Sequence, residues 1–148
     1  MKWFYKTYDD LTKNELYSLL RLRAEVFVVE QDCPYQDVDN KDQKAIHVFA
    51  KENNEVIAYT RVFNAGDYFQ EAAIGRVVTK SSYRGTGLGQ KLMQQTVNYL
   101  KKEDFPLPIR ISAQTYLIKF YEKFGFNKIG IEYKEDGIPH IGMLCFIT

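Results

Sequence analysis

Residues 72–100 read AAIGRVVTK-SSYRGTGLGQ-KLMQQTVNYL and decide the fold. The first eight residues form a short, bounded apolar run rich in β-branched side chains, which predicts a β-strand rather than a buried helix. From Leu88 onward the apolar residues recur at helical spacing along one face, at Leu88, Leu92, Met93, Val97 and Leu100. The stretch therefore predicts a strand, a glycine-rich turn and an amphipathic helix.

The turn Tyr83-Arg84-Gly85-Thr86-Gly87-Leu88-Gly89 carries a glycine at every second position. Glycine allows positive φ and a close approach of ligand to backbone, and the first amides of the following helix lie at the positive end of its dipole. With the Arg84 guanidinium, these features indicate an anion site. A tight strand-to-helix connection would use the same glycines, so the glycines alone leave both interpretations open. The spacing matches neither a Walker loop nor G-x-G-x-x-G.

Two motifs in the chain resemble those of the GCN5-related N-acetyltransferases (GNAT). The acyl-CoA signature of that family, [Arg/Gln]-x-x-Gly-x-[Gly/Ala] directly after a strand, corresponds to Arg84-x-x-Gly87-x-Gly89. The second signature, Asn-x-x-Ala-x-x-[Leu/Phe]-Tyr-x-x-x-Gly-Phe, corresponds to Gln114-x-x-Leu117-x-x-Phe120-Tyr121-x-x-x-Gly125-Phe126. Gln114 replaces Asn and keeps the amide chemistry, whereas Leu117 replaces Ala.

The resemblance covers essentially the whole chain. The segments Leu22-Arg23-x-x-Val26-Phe27-Val28-Val29-Glu30-Gln31 and Ile138-Pro139-His140-Ile141-Gly142-Met143 resemble the ElaA-type branch of the same superfamily. Residues 1–148 are therefore expected to form a single N-acetyltransferase domain.

Composition agrees with one domain and narrows the function. The chain has 148 residues, 45% of them apolar, which is enough for a substantial core. The formal net charge is +1 and there is no basic block, so a nucleic-acid partner is not expected. Cys33 and Cys145 lack metal-ligand spacing, so no metal is expected. No run reaches membrane length and the first residues lack an apolar signal segment, so a cytoplasmic protein without a membrane partner is expected.

The rest of the chain predicts alternating strands and helices. A first strand is expected over residues 3–8, and the capping box Thr12-x-x-Glu15 begins a helix over 13–29. Asn53-Asn54 predicts a hairpin turn between strands 46–51 and 56–63. A strand over 109–113 and a helix over 115–124 follow, with Gly125 as a left-handed cap. A second hairpin joins 127–133 to 138–147.

These elements predict an α/β (α+β) fold with a mixed sheet and helices on both faces. The resemblance to the GNAT family adds that the sheet is mostly antiparallel, and that the strands before and after the central helix are a parallel pair that splays apart. In that family the pantetheine of the donor lies in the gap.

The resemblance also implies a donor site for acetyl-CoA. The backbone of Val77, Val78 and Thr79 is expected to bind pantetheine like an added strand, with an amide near Val78 polarising the thioester carbonyl. The pyrophosphate is expected at Arg84, Gly85, Thr86, Gly87, Leu88, Gly89 and Gln90. Gln114 is placed with the donor-binding residues.

Tyr121 is the candidate catalytic residue. The second signature places it near the sulfur, as a general acid for the departing thiolate. A phenol has a pKa of about 10, above the roughly 8–9 of a thiol, so a hydrogen bond can replace full proton transfer. Tyr121 also lies on the apolar face of its helix, so an ordinary core aromatic is the alternative interpretation.

Acceptor residues are harder to identify. Residues 72–78 contain no carboxylate, so a direct base and a water relay both remain open. The candidates are Glu30, Asp39, His47, Arg76 and His140. Arg76 interrupts an apolar strand and must be paired or face an opening. The acidic loop that follows residue 29 is either a solvated surface or an attractor for a cationic amine.

The sequence thus predicts an acyl-CoA-dependent N-acyltransferase that transfers acetyl to a primary amine of a small molecule or peptide by direct attack. Two alternatives stay open. One is a non-catalytic acyl-CoA-binding module, and the other is an enzyme like the acyl-homoserine-lactone synthases, which use longer acyl chains. The expected partners are acetyl-CoA and an amine, with the protein a monomer or homodimer.

Overall fold

The computed structural model describes residues 1–146. Seven strands and three α-helices are found in this part of the chain. In chain order they are β1 (Lys2–Thr7), α1 (Lys13–Arg23), β2 (Ile46–Glu52), β3 (Glu55–Phe63), β4 (Ala72–Thr79), α2 (Leu88–Lys102), β5 (Ile109–Gln114), α3 (Ile118–Glu122), β6 (Phe126–Glu135) and β7 (Ile138–Cys145).

Local signals in the sequence are confirmed where they specify backbone geometry. The capping box forms, because the Glu15 amide donates to Thr12 Oγ1 at 3.0 Å and the Thr12 amide donates to Glu15 Oε1 at 3.0 Å. Asn53 and Asn54 have φ of 53° and 62°, as a tight hairpin requires, and Gly125 has φ of 90° after the last helix.

Two helices differ from the prediction. The helix predicted over 13–29 is α-helical only to Arg23 and continues as a π-helical segment, Ala24–Glu30. The helix predicted over 115–124 begins with a 3₁₀ turn, Thr115–Leu117, so α3 is only five residues long. Of the strand predicted over 138–147, the structure describes β7 to Cys145, and Ile147 lies outside the described residues.

All seven strands form one sheet, in the order β1-β2-β3-β4-β5-β7-β6. Every neighbouring pair is antiparallel except β4 and β5, which are parallel. That parallel pair is joined only at Ala72↔Ile109 and Ala73↔Arg110. The two strands therefore diverge after Ala73, and the predicted splayed pair in a mixed sheet is confirmed.

Helices cover both faces of the sheet, as alternation along β2 shows. Phe49 packs with Leu19 and Leu22 of α1, whereas its neighbours Val48 and Ala50 belong to the core on the α2 side. Phe49 and Leu19 are fully buried, and burial of such a side chain stabilises the fold by about 1.5–3 kcal/mol.

A bulge interrupts β4 beside the gap. Tyr59 pairs with Val78 and Arg61 pairs with Gly75, so one residue of β3 lies opposite two of β4, Arg76 and Val77. Arg76 has φ of 52°, which costs an L-residue about 1–2 kcal/mol. Other contacts must therefore stabilise this backbone conformation of Arg76.

Three arginines and three aspartates supply that support. Arg23 Nε bonds Asp37 Oδ2 at 2.9 Å, and its Nη1 bonds Asp42 Oδ1 at 2.7 Å. Arg61 bonds both Asp39, at 2.6 Å, and Asp42, at 2.9 Å. Arg23 is fully buried and Arg61 nearly so. We call the whole set the Arg–Asp cluster; its members are Arg23, Arg61, Arg76, Asp37, Asp39 and Asp42.

Arg76 joins the cluster from the bulge. Its Nε lies 2.8 Å from Asp37 Oδ1, an ion-pair distance without hydrogen-bond geometry, and its Nη2 donates to the Asp37 carbonyl at 3.1 Å. The cluster therefore joins the loop that follows residue 30 to α1, β3 and the bulge of β4.

The cluster also makes the stability of the fold depend on pH in the acid range. Burial alone would raise the pKa of Asp39, but hydrogen bonds and charge from Arg61, with charge from Arg76, lower that pKa to about 2. Burial is likewise outweighed at Asp42, where Arg23 and Arg61 lower the pKa. Because both pKa values are depressed in the folded state, this stabilisation is present above the ordinary carboxyl pKa near 4 and is lost as the pH falls towards 2.

We predict that Arg23→Ala lowers the free energy of unfolding by about 3–5 kcal/mol at pH 7, because it leaves Asp37 and Asp42 buried with reduced compensation. Urea unfolding measures the change. Lys80→Ala, which removes a partly exposed ion pair with Glu55 at 2.9 Å, is the control and should cost less than about 1 kcal/mol. Equal losses in the two variants would contradict a structural role for the cluster.

Candidate functional site

Two clefts meet in the gap between β4 and β5. The turn cleft, of about 490 Å³, extends from the gap to the glycine turn and contains Val78, Thr79, Arg84, Gly89 and Phe120 in its walls. The hairpin cleft extends to the β6–β7 hairpin and contains Arg76, Ser112, Glu135 and His140 in its walls. Six residues line both clefts: Phe27, Gln31, Val77, Gln114, Leu117 and Tyr121.

The glycine turn is open at its inner side. Gly85 and Gly87 have φ of 80° and 83°, and a Cβ at either position would meet no atom within 4 Å. Gly87 is also the residue before α2, and no side chain caps the first amides of that helix. Positive φ, open space and unpaired amides are what a backbone cradle for an anion requires.

Gly89 has a different function from the two glycines before it. Its φ is not positive, and a Cβ there would come within 3.9 Å of both Phe120 and Thr79. Both distances are ordinary van der Waals contacts, so Gly89 lies against the wall of the turn cleft without a close approach that requires glycine.

Arg84 is paired across the mouth of the turn cleft. Its Nη1 lies 2.5 Å from Oε2 of Glu30, at the end of the π-helical segment, and both side chains are substantially exposed. The sequence placed Glu30 among the acceptor residues, whereas in the structure Glu30 lines the turn cleft and not the hairpin cleft.

The edge of β4 facing the gap provides backbone groups to the turn cleft. Val77, Val78 and Thr79 all line it, and β4 has no pairing with β5 beyond Ala73. An extended ligand could therefore hydrogen-bond to this edge as an added strand would. Gln114, at the end of β5, faces the same gap, and its Nε2 lies 3.5 Å from Gln31 Oε1.

Tyr121 lies where the two clefts meet. The side chain is only 6% exposed, and its ring packs edge-on against Phe120 and Phe126. Burial raises the pKa of its phenol, so the hydroxyl is neutral and a donor at ordinary pH. The hydroxyl makes no hydrogen bond with any residue between 1 and 146.

His140 lines the hairpin cleft from β7 and is 6% exposed. Its Nδ1 lies 2.7 Å from the Ile138 carbonyl, and its Nε2 lies 3.5 Å from Glu135 Oε2. The sequence named His140 and Arg76 as candidates at the acceptor side, and the structure brings both into one cleft.

His47 and Asp39 do not join that cleft. His47 is fully buried, its Nδ1 lies 2.6 Å from the Tyr59 hydroxyl, and its Nε2 lies 2.9 Å from the Asp42 carbonyl. Burial lowers the pKa of His47, which keeps the ring neutral. Asp39 is held by Arg61. Both residues support the Arg–Asp cluster, and neither lines the hairpin cleft.

Most of the charge on the acidic loop is paired within the protein. Asp37 and Asp42 are buried, and each of Asp37, Asp39 and Asp42 is paired with arginine. With Glu30, which is paired with Arg84, four of the five carboxylates of the loop therefore have their charges compensated by arginine.

Sequence reasoning missed several cleft residues. Phe27, Gln31 and Tyr35 line the hairpin cleft from the π-helical segment and the loop after it, and Glu135 lines it from the end of β6. The sequence places Glu135 only in the connection of the second predicted hairpin, between residues 133 and 138. A partial signal existed in Phe27 and Gln31, which fall inside the segment that resembles the ElaA-type branch.

Comparison with known proteins agrees with this geometry. The acetyltransferase (GNAT) domain family matches residues 8–146. The ElaA protein of Escherichia coli strain K12 is 40% identical over 145 residues, which are 97% of this chain and 95% of that protein.

Solved structures give the same result. A crystal structure of an acyl-CoA N-acyltransferase from Pseudomonas aeruginosa is 41% identical, with a TM-score of 0.92 over 98% of this chain and 99% of that chain. A CoA-dependent acyl-homoserine lactone synthase, BjaI, shares the fold alone, at 15% identity and a TM-score of 0.78, over 96% of this chain and 80% of that one.

Within residues 1–146, no helix is both long enough and apolar enough to cross a membrane. Among the same residues, no group of three or more histidine, cysteine or acidic side chains is arranged to hold a metal ion.

We predict that Glu30→Gln strengthens the binding of CoA several-fold at low salt, because Glu30 competes with phosphate for Arg84. Arg84→Gln should weaken binding. Isothermal titration with CoA measures both. Glu25→Gln, the same loss of charge at a half-buried position of the same segment outside the turn cleft, is the control and should leave the Kd unchanged. Weaker binding in Glu30→Gln would show instead that Glu30 itself contributes to the site.

Proposed function

The chain belongs to the GNAT acetyltransferase family, and on that premise we propose that it transfers an acetyl group from acetyl-CoA to a primary amine of a small molecule or peptide. The resemblance seen in the two motifs is confirmed by the match over residues 8–146 and by the ElaA relative. Acetyl is the acyl group that the matched family names.

The observation that carries the proposal is the position of Tyr121, which lines both clefts where they meet. A transfer enzyme needs two reactants to approach each other from separate sites with a polar group at the contact point. A module that only binds acyl-CoA would need the turn cleft but would have no use for the hairpin cleft or for a buried, unpartnered hydroxyl between them.

Several features of this chain make the turn cleft suitable for an acyl-CoA. Open backbone at Gly85 and Gly87, the start of α2 and Arg84 suit a pyrophosphate. The unpaired edge of β4 suits the amides of a pantetheine arm. A bound acyl-CoA supplies the thioester whose acyl group is transferred.

Residues at the junction assist the transfer electrostatically. We infer that an amide near Val78, which lines the turn cleft, donates to the thioester oxygen as charge develops there. The nitrogen of the acceptor forms an amide bond with the carbonyl carbon, the carbon–sulfur bond breaks, and its electron pair goes to sulfur. The proton lost by the amine goes to a base, and Tyr121 donates a hydrogen bond to the thiolate.

The raised pKa of Tyr121 determines how it acts. A phenol harder to ionise than a thiol does not transfer its proton fully to a thiolate, but it remains a hydrogen-bond donor over the whole working range of pH. Tyr121 is therefore proposed to stabilise the leaving group rather than to titrate during turnover.

We predict that Tyr121→Phe lowers kcat at least ten-fold while the Kd for CoA changes less than two-fold, because only the hydroxyl is removed. Steady-state release of CoA from acetyl-CoA, with an accepted amine, measures kcat. Tyr17→Phe makes the same chemical change on the exposed surface of α1 and should behave like the parent. An unchanged kcat at every pH would leave Tyr121 as a core aromatic only.

A further inference from the structure

The hairpin cleft has carboxylates that are not compensated by arginine. Arg61 and Arg76 line the cleft, but both are engaged by the aspartates of the Arg–Asp cluster. Glu135 and Asp136, at the tip of the β6–β7 hairpin, have no arginine or lysine partner among residues 1–146. The free negative charge of this cleft is therefore at the hairpin and not on the acidic loop.

His140 is fixed with one nitrogen turned towards those carboxylates. His140 Nδ1 lies 2.7 Å from the Ile138 carbonyl oxygen. Because that oxygen can only accept a hydrogen bond, Nδ1 must carry the hydrogen, and a neutral ring then has its lone pair on Nε2. That Nε2 has no hydrogen-bond partner within the described residues and lies 3.5 Å from Glu135 Oε2. The Tyr133 ring stacks on the imidazole with centroids 6.3 Å apart, which holds the ring plane.

The opposite wall of the cleft is aromatic. Phe63, Tyr68 and Phe69 form a continuous set, with ring centroids 5.0 Å and 4.9 Å apart. Tyr68 is 40% exposed. Phe27 adds a fourth ring from the π-helical segment. Phe63 is buried behind this wall, and Arg61, Lys41 and Arg110 lie over rings of the set. The exposed part of Tyr68, with Phe69 and Phe27, remains available to an apolar ligand in the cleft.

The size of the cleft restricts what can lie against that wall. Its free volume is about 120 Å³. An apolar protein cavity of about 150 Å³ accommodates one benzene molecule. The hairpin cleft is smaller than that cavity, but it is open and continuous with the turn cleft through the six shared residues. It therefore suits a body of no more than about one ring, and an aminoglycoside or a folded peptide segment is too large to enter it completely.

We propose that the acceptor is a primary amine carried on an apolar body of about one aromatic ring. Its body packs on the aromatic wall, Glu135 attracts its ammonium group, and His140 removes its proton. This rests on the proposed acyl transfer and specifies the substrate class and the base.

The proton balance of the step is complete. The ammonium group first loses one proton from nitrogen to solvent, either directly or through the lone pair of His140 Nε2, and after attack the nitrogen loses its second proton to the same lone pair. The neutral nitrogen attacks the thioester carbon, and the carbon–sulfur bond breaks. Imidazolium formed at His140 is stabilised by Glu135, then returns its proton to solvent or, through water, to the thiolate.

Several titratable and charged groups surround His140 and share its cleft. They are Glu135 and Tyr133 on β6, Asp136 in the hairpin, Tyr121 on α3, Arg61 on β3, Arg76 on β4, and Cys33 and Tyr35 in the loop. Of these, Glu135 comes within ion-pair distance of the ring, so Glu135 is the group that interacts most strongly with an imidazolium at His140.

The first experiment compares acceptors on the unmodified protein with acetyl-CoA. We expect kcat/KM for 2-phenylethylamine to exceed that for ethanolamine, an amine of similar basicity without the ring, by at least ten-fold. We also expect it to exceed that for phenylalanine, whose carboxylate would lie near Glu135. Equal values for the first two amines, or a preference for ethanolamine, would overturn the substrate class.

Two variants test the hairpin. Glu135→Gln should raise KM for 2-phenylethylamine at least five-fold, whereas Glu132→Gln, the same change at an exposed position of β6 outside the cleft, should not. His140→Gln should lower kcat for 2-phenylethylamine at least ten-fold while the Kd for CoA changes less than two-fold. An unchanged kcat in His140→Gln, or equal KM values in Glu135→Gln and Glu132→Gln, would overturn the assignment of these residues.

These results are distinguishable from failure of the proposed function. If the protein binds CoA but acetylates none of the amines, the acyl-transfer proposal itself is overturned. If it acetylates ethanolamine or a polyamine faster than 2-phenylethylamine, acyl transfer holds and only the acceptor proposal is overturned.

Discussion

The early end of pairing between β4 and β5 is the constraint on which the rest of the structure depends. Two residue pairs, at Ala72 and Ala73, hold the strands together before they diverge. Divergence leaves backbone groups of β4 without a strand neighbour, and an unpaired buried edge is costly unless a ligand or water satisfies it. The same gap lets the turn cleft and the hairpin cleft meet at Tyr121. The glycine turn after β4 and the start of α2 then lie at one end of a continuous channel.

The Arg–Asp cluster explains how an irregular segment can form a wall of that channel. Arg76 sits in a left-handed conformation within a bulge, and the loop after residue 30 has little regular structure of its own. Three guanidinium groups and three carboxylates compensate one another in the buried space between them. Removing any one member leaves the others under-compensated, which ties the shape of the hairpin cleft to the stability of the fold. Charge neutrality of the cluster also leaves the hairpin carboxylates as the dominant charge facing the cleft.

The sequence predicted what short-range chemistry determines. A capping box, paired asparagines and alternate glycines each specify backbone geometry within a few residues, and all appear where expected. Pairings between distant residues have no such signal. Asp39 and Asp42 looked like free surface charge because their partner Arg61 lies some twenty residues away, and His47 looked reactive because its burial against Tyr59 depends on the register of β2 and β3. The sequence did not indicate a role for Glu135 for the same reason, since that role depends on how the β6–β7 hairpin pairs with β5.

The central claim is that an acyl-CoA adds to the edge of β4 in the gap, with the hairpin cleft left for the acceptor. Hydrogen–deuterium exchange of the protein with and without CoA tests this most directly. The account predicts slower exchange of amides in residues 77–79 and 84–90 on addition of CoA, with little change in β6 and β7. Protection confined to the β6–β7 hairpin, or absent from residues 77–79, would contradict it.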